Sequence, residues 1–237
     1  MFNAVETLKN GAKQIDIDIT DKNVDDFISY YNLLIEWNKN INLTAITEPK
    51  EVAIKHFIDS LCFLKYVDIK KGQSLLDVGT GAGFPSVPIG IIRKDIDITM
   101  MDCLNKRLNF LKEVTNTLNI NANIVHNRAE IAGKDITFRE KYDFVTARAV
   151  ANLSALSEYC LPFVKVGGFF VAMKGPSSSV EIDNSLNIIS LLGGEIQDNF
   201  NFTLPDKSER SIILIKKISN TSKIYPRSYK KISSNKI

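Results

Sequence analysis

What the chain lacks narrows its chemistry first. No stretch approaches the run of about 20 apolar residues that a membrane span needs, and the opening MFNAVETLKNGAKQ places no apolar signal core behind a basic start. No membrane role and a cytoplasmic location are the expectations. There are only three cysteines, Cys62, Cys103 and Cys160, scattered and odd in number. That excludes a disulfide framework and a C-x-x-C metal or redox pair, and all three read as buried packing residues. Two histidines, His56 and His126, make no zinc set, so no metal is expected. No G-x-x-x-x-G-K-[ST] occurs, against a P-loop nucleotidase, and no G-x-S-x-G elbow.

What is present is an ordinary globular composition: 237 residues, 44% apolar and 24% charged. This suffices for one domain with a large core, or one domain and a small extension. The net charge of +3 is unevenly spread. Eight of the 30 basic residues lie in 210–237, where there is no Asp or Glu, so 1–209 carries 22 basic against 27 acidic residues. A basic end on an acidic body points to an anionic partner, most simply nucleic acid, or to a solvated terminus.

Residues 1–70 read as a helical extension. Val24, Phe27, Ile28, Tyr31, Leu34 and Ile35 recur at helical spacing, with Asp21 or Asn23 as candidate cap. The stretch 40–44 breaks that helix, and a second runs from about Lys50 to Leu64. The pattern then alternates. Strands are expected at 74–78, at 96–102 ending on Asp102, at 123–125, at 142–147 and at 168–173, with helices from Leu104 to Leu118 and from Leu153 to Val164. Alternation of this kind implies right-handed βαβ crossovers and a mostly parallel sheet. Glu195–Phe202 and 211–215, joined around Pro205-Asp206, read as an antiparallel hairpin at one edge. The expected division is 1–70 extension or cap, 71–218 main domain, 219–237 basic tail.

In a doubly wound sheet the ligand lies beyond the carboxyl ends of the strands. Asp77-Val78-Gly79-Thr80-Gly81-Ala82-Gly83-Phe84-Pro85 follows the first strand. Its glycines allow positive φ and close backbone approach, and Pro85 suits a helix's first turn. The third glycine comes one position early for a dinucleotide fingerprint, and Phe84 stands where that fingerprint needs Gly. The loop therefore favours a nucleoside without a diphosphate; a purely structural turn is the competing reading. Asp102, 23 residues after Gly79, is placed to accept ribose hydroxyls, or to cap the next helix. Arg128-Ala129-Glu130 lies where adenine-flanking groups would be, or is a solvated loop. Arg148, at the exit of the fourth strand, suits an anion or a purine edge, or a surface ion pair. Lys174 adds charge to the same rim or is an ordinary surface lysine. The fourth-strand exit has neither the Asn/Asp-Pro-Pro-aromatic motif of enzymes that methylate adenine amines nor a cysteine to attack a pyrimidine ring.

Together these residues carry a resemblance. Glu36-Trp37-Asn38-Lys39-Asn40-Ile41-Asn42-Leu43-Thr44-Ala45-Ile46-Thr47 and Lys55-His56-Phe57-Ile58-Asp59-Ser60 resemble signatures of the bacterial 16S ribosomal RNA methyltransferase G family. Asp77 to Pro85, Arg128-Ala129-Glu130 and Thr146-Ala147-Arg148-Ala149-Val150 look like its later motifs, in order, and the likeness spans roughly residues 25–227. The resemblance implies an α/β, Rossmann-like class I S-adenosylmethionine-dependent methyltransferase, acting on N7 of a guanine in the decoding-region loop of 16S rRNA. N7 has a free lone pair and no proton, so no general base is expected. By similarity Gly79, Phe84, Ala129, Glu130 and Arg148 fall on cofactor-contacting positions; Gly81, Gly83 and Asp102 are added on the physical argument above. Arg148, Lys174, Arg210, Arg227, Lys230 and Lys231 are expected along the RNA path. The implied partner is 16S rRNA in the 30S subunit or an assembly intermediate, met by a monomer. In one respect the chain departs from the family: Tyr225-Pro226-Arg227 is followed by Ser228-Tyr229-Lys230-Lys231-Ile232, without the usual Gly and Pro. The alternatives are an NAD-dependent oxidoreductase, which the glycine spacing disfavours, and a non-catalytic RNA-binding or assembly protein.

Overall fold

The computed structural model describes residues 2–148, 151–176 and 179–234. Helices α1 (Val5–Gln14) and α2 (Asp21–Asn38) open the chain. Thr20, not Asp21 or Asn23, is the N-cap of α2; Asn23 closes a reciprocal capping box with it. The second expected helix is a continuous helical run of α3 (Pro49–Val52), a π-helical segment (Ala53–Ile58) and α4 (Asp59–Tyr66).

The sheet follows: β1 (Ser74–Val78), α5 (Ser86–Ile92), β2 (Asp97–Asp102), α6 (Asn105–Thr117), β3 (Ala122–His126), α7 (Ala129–Ala132), β4 (Tyr142–Arg148), α8 (Leu153–Cys160) and β5 (Val164–Lys174). Then come α9 (Ser179–Asp183), α10 (Leu186–Leu191), β6 (Gly194–Thr203), β7 (Glu209–Lys217) and α11 (Tyr229–Ser233). The strand order is β3-β2-β1-β4-β5-β7-β6. β1 to β5 are parallel, and β7 runs antiparallel to both β5 and β6. The expected hairpin is present, with β7 seated inside and β6 at the edge. Strand order reverses between β1 and β4, which opens the crevice at their carboxyl ends.

Two local readings needed correction. The helix from Leu153 stops at Cys160, and Leu161–Phe163 form a single 3-10 turn, because Pro162 has no N–H to continue the ladder. β5 begins at Val164 rather than Gly168. A register shift opposite Tyr142 and Phe144, with Gly167 at φ 88, interrupts the apolar alternation that would have marked the strand's start.

The sheet separates two apolar clusters by simple alternation. Leu75, Ile98, Met100, Val171 and Ile212 face one, with residues of α1, α2, the 49–66 run, α5 and α6. Leu76, Met101, Phe170, Ala172 and Ile213 face the other, with α8, α10 and α11. The strands are covered on both faces, which is why they read as apolar runs. The N-terminal helices thus share one core with the sheet. Among the described residues no helix is long and apolar enough to cross a membrane.

The glycine loop is packed from below. Gly83 has φ 94, and a Cβ there would lie 2.5 Å from Val87 Cγ2 and 2.9 Å from Leu111 Cδ2. Gly83, expected at the cofactor, is required by packing, since only a residue without a Cβ fits against Val87 and Leu111. Gly83→Ala should therefore lower stability by roughly 2–4 kcal/mol through overpacking and backbone strain. Urea denaturation checks this, and a midpoint equal to wild type would refute it.

Candidate functional site

The loop after β1 is tied down at three points. Asp77 is fully buried; its Oδ2 accepts from Thr80 Oγ1 at 2.8 Å and Ser86 Oγ at 2.6 Å. Burial pushes this carboxyl up to about 6, against the lowering effect of those hydrogen bonds. Gly81 N donates to Asp102 Oδ2 at 3.0 Å. From the N-terminal extension, the buried Tyr30 hydroxyl donates to the Ala82 carbonyl. Gly79 and Gly81 take φ 70 and 60, the left-handed region that this tight turn requires.

Around that loop lies a cavity of about 550 Å³, lined among others by Gly79, Asp102, Arg128, Ala129, Glu130 and Ala151. Among the described residues, Asp102 and Glu130 are the carboxylates in its lining. Asp102 Oδ1 accepts from Leu104 N at 2.9 Å, and Oδ2 from Gly81 N and, at 3.4 Å, Arg107 Nη1. A carboxylate offers about four lone-pair sites, so acceptor capacity remains for a ligand hydroxyl. The helix-capping alternative is not realised: Leu104 is the N-cap of α6 and has no side-chain cap. Glu130 Oε1 accepts from Arg128 Nε at 2.6 Å, which fixes the wall opposite. Cys103, read as a buried packing residue, is exposed and lines this cavity, because β2 ends one residue earlier.

A second cavity, about 340 Å³, adjoins at Ala151 and is strongly basic, with Lys55, His56, Asp59, Arg148, Lys174 and Arg210 in its wall. Asp59, buried at 5% exposure, holds two cations together: Arg148 Nη1 at 2.8 Å and Arg210 Nε at 3.3 Å. Phe84 lies beneath, with the Arg148 guanidinium 4.9 Å from its ring centroid and the His56 ring stacked on it at 4.4 Å. Lys174 pairs with Glu181 at 2.7 Å.

The structure therefore divides the residues expected at one cofactor. Gly79, Asp102, Ala129 and Glu130 gather at the larger cavity; Gly81 supports it through Asp102. Arg148 lies at the basic one with Phe84 under it, and neither is among the residues lining the larger cavity. Ala149 and Val150 of the same motif lie outside the described residues. Of the cations expected on an RNA path, Lys174 and Arg210 line the basic cavity, and Lys230 and Lys231 are exposed on α11. Arg227 instead turns inward: its Nε and Nη2 grip Glu158, itself 1% exposed, at 2.7–3.0 Å. The fork-shaped ion pair fixes the guanidinium against α8.

The contribution of His56 was not legible as chemistry in the sequence. Its Nε2 is 2.8 Å from Thr44 Oγ1 and its Nδ1 is 3.3 Å from Arg148 Nη2. Nδ1 also lies 3.2 Å from the Lys55 carbonyl, so the ring sits between the Thr44 hydroxyl on one side and Arg148 with the Lys55 main chain on the other. Burial, then Arg148, lowers the imidazole to about 3. The loop carrying Thr44 is in turn held by Asn38, whose Oδ1 accepts from Leu43 N and Thr44 N at 2.8 and 3.0 Å. The N-terminal signature thus builds a relay from Asn38 to Arg148. Because the folded imidazole is depressed below an unfolded value near 6.5, its contribution to stability is full above that pH and is lost as pH falls towards about 3. His56 should show no protonation between pH 5 and 8 in an NMR titration of its ring carbons; a transition in that window would contradict the relay.

Comparison with known proteins bears on this arrangement. The family described as rRNA small subunit methyltransferase G matches residues 23–220. Proteins named ribosomal RNA small subunit methyltransferase G are similar over 93% of both chains: one from Desulforamulus reducens at 52% identity and one from Clostridium botulinum (strain 657 / Type Ba4) at 47%. In fold, the chain is similar to TrmN from Thermus thermophilus, with TM-score 0.53 and 14% identity over 68% of this chain and 48% of that one. It is also similar to M. jannaschii TYW2, solved in complex with AdoMet, with TM-score 0.50 and 13% identity over 63% and 71%. The fold is that of the class I methyltransferases, and the chain belongs to the rRNA small subunit methyltransferase G family.

Proposed function

We propose that this protein transfers the methyl group of S-adenosyl-L-methionine to N7 of a guanine in the decoding-region loop of 16S rRNA. It does so as a cytoplasmic monomer acting on the 30S subunit or its assembly intermediate. The observation that carries the reading is the pair of adjoining cavities. One has the unsaturated acceptor Asp102 beside a glycine loop; the other is lined by four basic side chains; they meet at Ala151. A volume of about 550 Å³ is within the range of small-molecule sites.

S-adenosylmethionine, when bound, supplies a methyl carbon already activated by sulfonium charge. Asp102 would receive its ribose hydroxyls, with Gly79, Ala129 and Glu130 around the rest. The acceptor's lone pair forms the new N–C bond as the S–C bond breaks and its electrons return to sulfur. Guanine N7 carries no proton, so none has to be removed, and the protein's task is alignment. The neutral His56 fits that requirement, since it orients Arg148 rather than exchanging protons. Asp59 keeps Arg148 and Arg210 side by side despite their repulsion, a pairing suited to a phosphate or a purine edge. Lys174, Lys230 and Lys231 extend the positive rim for the RNA backbone.

Labelled methyl from S-adenosylmethionine should appear on 30S subunits that lack the modification, and mapping should place it on a guanine N7 of the decoding-region loop. Label on another base or atom would overturn the specificity. Arg148→Ala should reduce transfer by about 100-fold, with the fold intact because Asp59 keeps Arg210. Single-turnover rates and a thermal melt measure both; a wild-type rate would remove Arg148 from the reaction.

A further inference from the structure

The lining of the larger cavity includes Tyr229, Ile232 and Ser233 of α11, residues beyond the stretch 23–220 that the family match covers. A tail expected to be solvated or to follow RNA is therefore a wall of the cavity beside the glycine loop.

Three separate anchors hold it there. Arg139 donates to four main-chain carbonyls: Gly133 at 2.6 Å, Tyr225 at 2.9 Å, Thr221 at 2.6 Å and Ser222 at 3.1 Å. Pro226 presses so closely on Gly133, at the end of α7, that a Cβ there would lie 3.0 Å from Pro226 Cγ. Arg227 is clamped on buried Glu158 of α8. α11 begins two residues later. Its Ile232 is 1% exposed and packs in the cluster that contains Ala132 and Tyr159. Tyr229 keeps 55% of its surface exposed, with the Arg128 guanidinium 4.8 Å from its ring centroid.

We infer that α11 is part of the cofactor-binding site and that Tyr229 contacts the nucleoside end of the ligand. This rests on the placement of S-adenosylmethionine in the larger cavity. The orientation follows from the neighbouring cavity. The reacting methyl has to reach Ala151, where the basic cavity opens; the ribose is held at Asp102. The base then points away from Ala151, along the exit of β3, where Asn127 N meets the Asp102 carbonyl at 3.3 Å and Arg128 and Tyr229 stand. An aromatic ring there offers a flat base a stacking or edge contact, and Arg128 on the ring limits its motion. Ile232 closes the space behind it. The tail acts on the cofactor, and its anchors serve to keep that ring in place.

The test is calorimetric titration of the full chain, without RNA, with S-adenosylmethionine and with 5′-methylthioadenosine, which keeps the nucleoside and lacks the amino-acid end. Tyr229→Ala should weaken both ligands about tenfold, and Tyr229→Phe should restore both, at an unchanged melting temperature. Wild-type affinity for both ligands in Tyr229→Ala would overturn the inference. A loss confined to S-adenosylmethionine would overturn the placement at the nucleoside end. A wild-type chain that binds neither ligand would overturn the cofactor assignment itself, a failure visible before any variant is made.

Discussion

A buried carboxylate at the end of β1 organises this molecule. Asp77 ends β1 at the point where strand order reverses, and it gathers the Thr80 and Ser86 hydroxyls and the Ser86 N–H onto one oxygen. Its other oxygen, Oδ1, is buried with no hydrogen-bond partner among the described residues. Burying a carboxylate so incompletely satisfied is costly, and the raised titration of Asp77 to about 6 expresses that cost. In return the glycine loop is closed into one shape. Asp102 then fixes its rim through Gly81, and Tyr30 fixes its far side through Ala82. Gly79, between these tethers, lines the larger cavity.

The N-terminal extension is a structural part of the same centre. Tyr30 reaches the loop from α2, stacked with Phe57 and Phe110, and Trp37 Nε1 donates to Glu113 of α6 at 3.2 Å. Below, Asn38 shapes the loop that presents Thr44, and Thr44 sets the His56 ring. The π-helical turn at 53–58 brings Lys55 and His56 to the basic cavity, with Asp59 just after it. The extension is therefore both sheet cover and cavity wall. The opposite face of the sheet is closed by the tail, where buried Lys217 donates to the Leu161 carbonyl and Thr221 Oγ1. Burial lowers that amine to about 8, while nearby Glu140 favours its charge. The N-terminal extension and the described part of the tail thus converge on the crevice between β1 and β4, from opposite faces of the sheet.

The sequence by itself determined the layered α/β architecture, the parallel strands with their edge hairpin, the glycine loop and the acidic residue at the end of β2. These are written locally: strand period, a turn that needs glycine, a carboxylate at a fixed distance along one βαβ unit. It also carried the family likeness, since Glu36–Thr47 and Lys55–Ser60 are continuous stretches. Only the tertiary structure decided how the side chains are shared out. Asp59 meets Arg148 across 89 residues, and Arg139 meets Tyr225 across 86. Such pairs leave no periodic trace in either segment, because each partner could equally be a surface charge until the sheet brings them together. For the same reason the sequence did not show that Gly83 abuts Val87 and Leu111 or that Phe84 lies under Arg148 and His56: a loop pattern specifies backbone shape, not which face of the turn a neighbour fills. The basic tail shows the limit most clearly. Its charge was legible, but the burial of Arg227 on Glu158 and of Ile232 beside α8 follows from packing against a helix some 70 residues away, which composition does not encode.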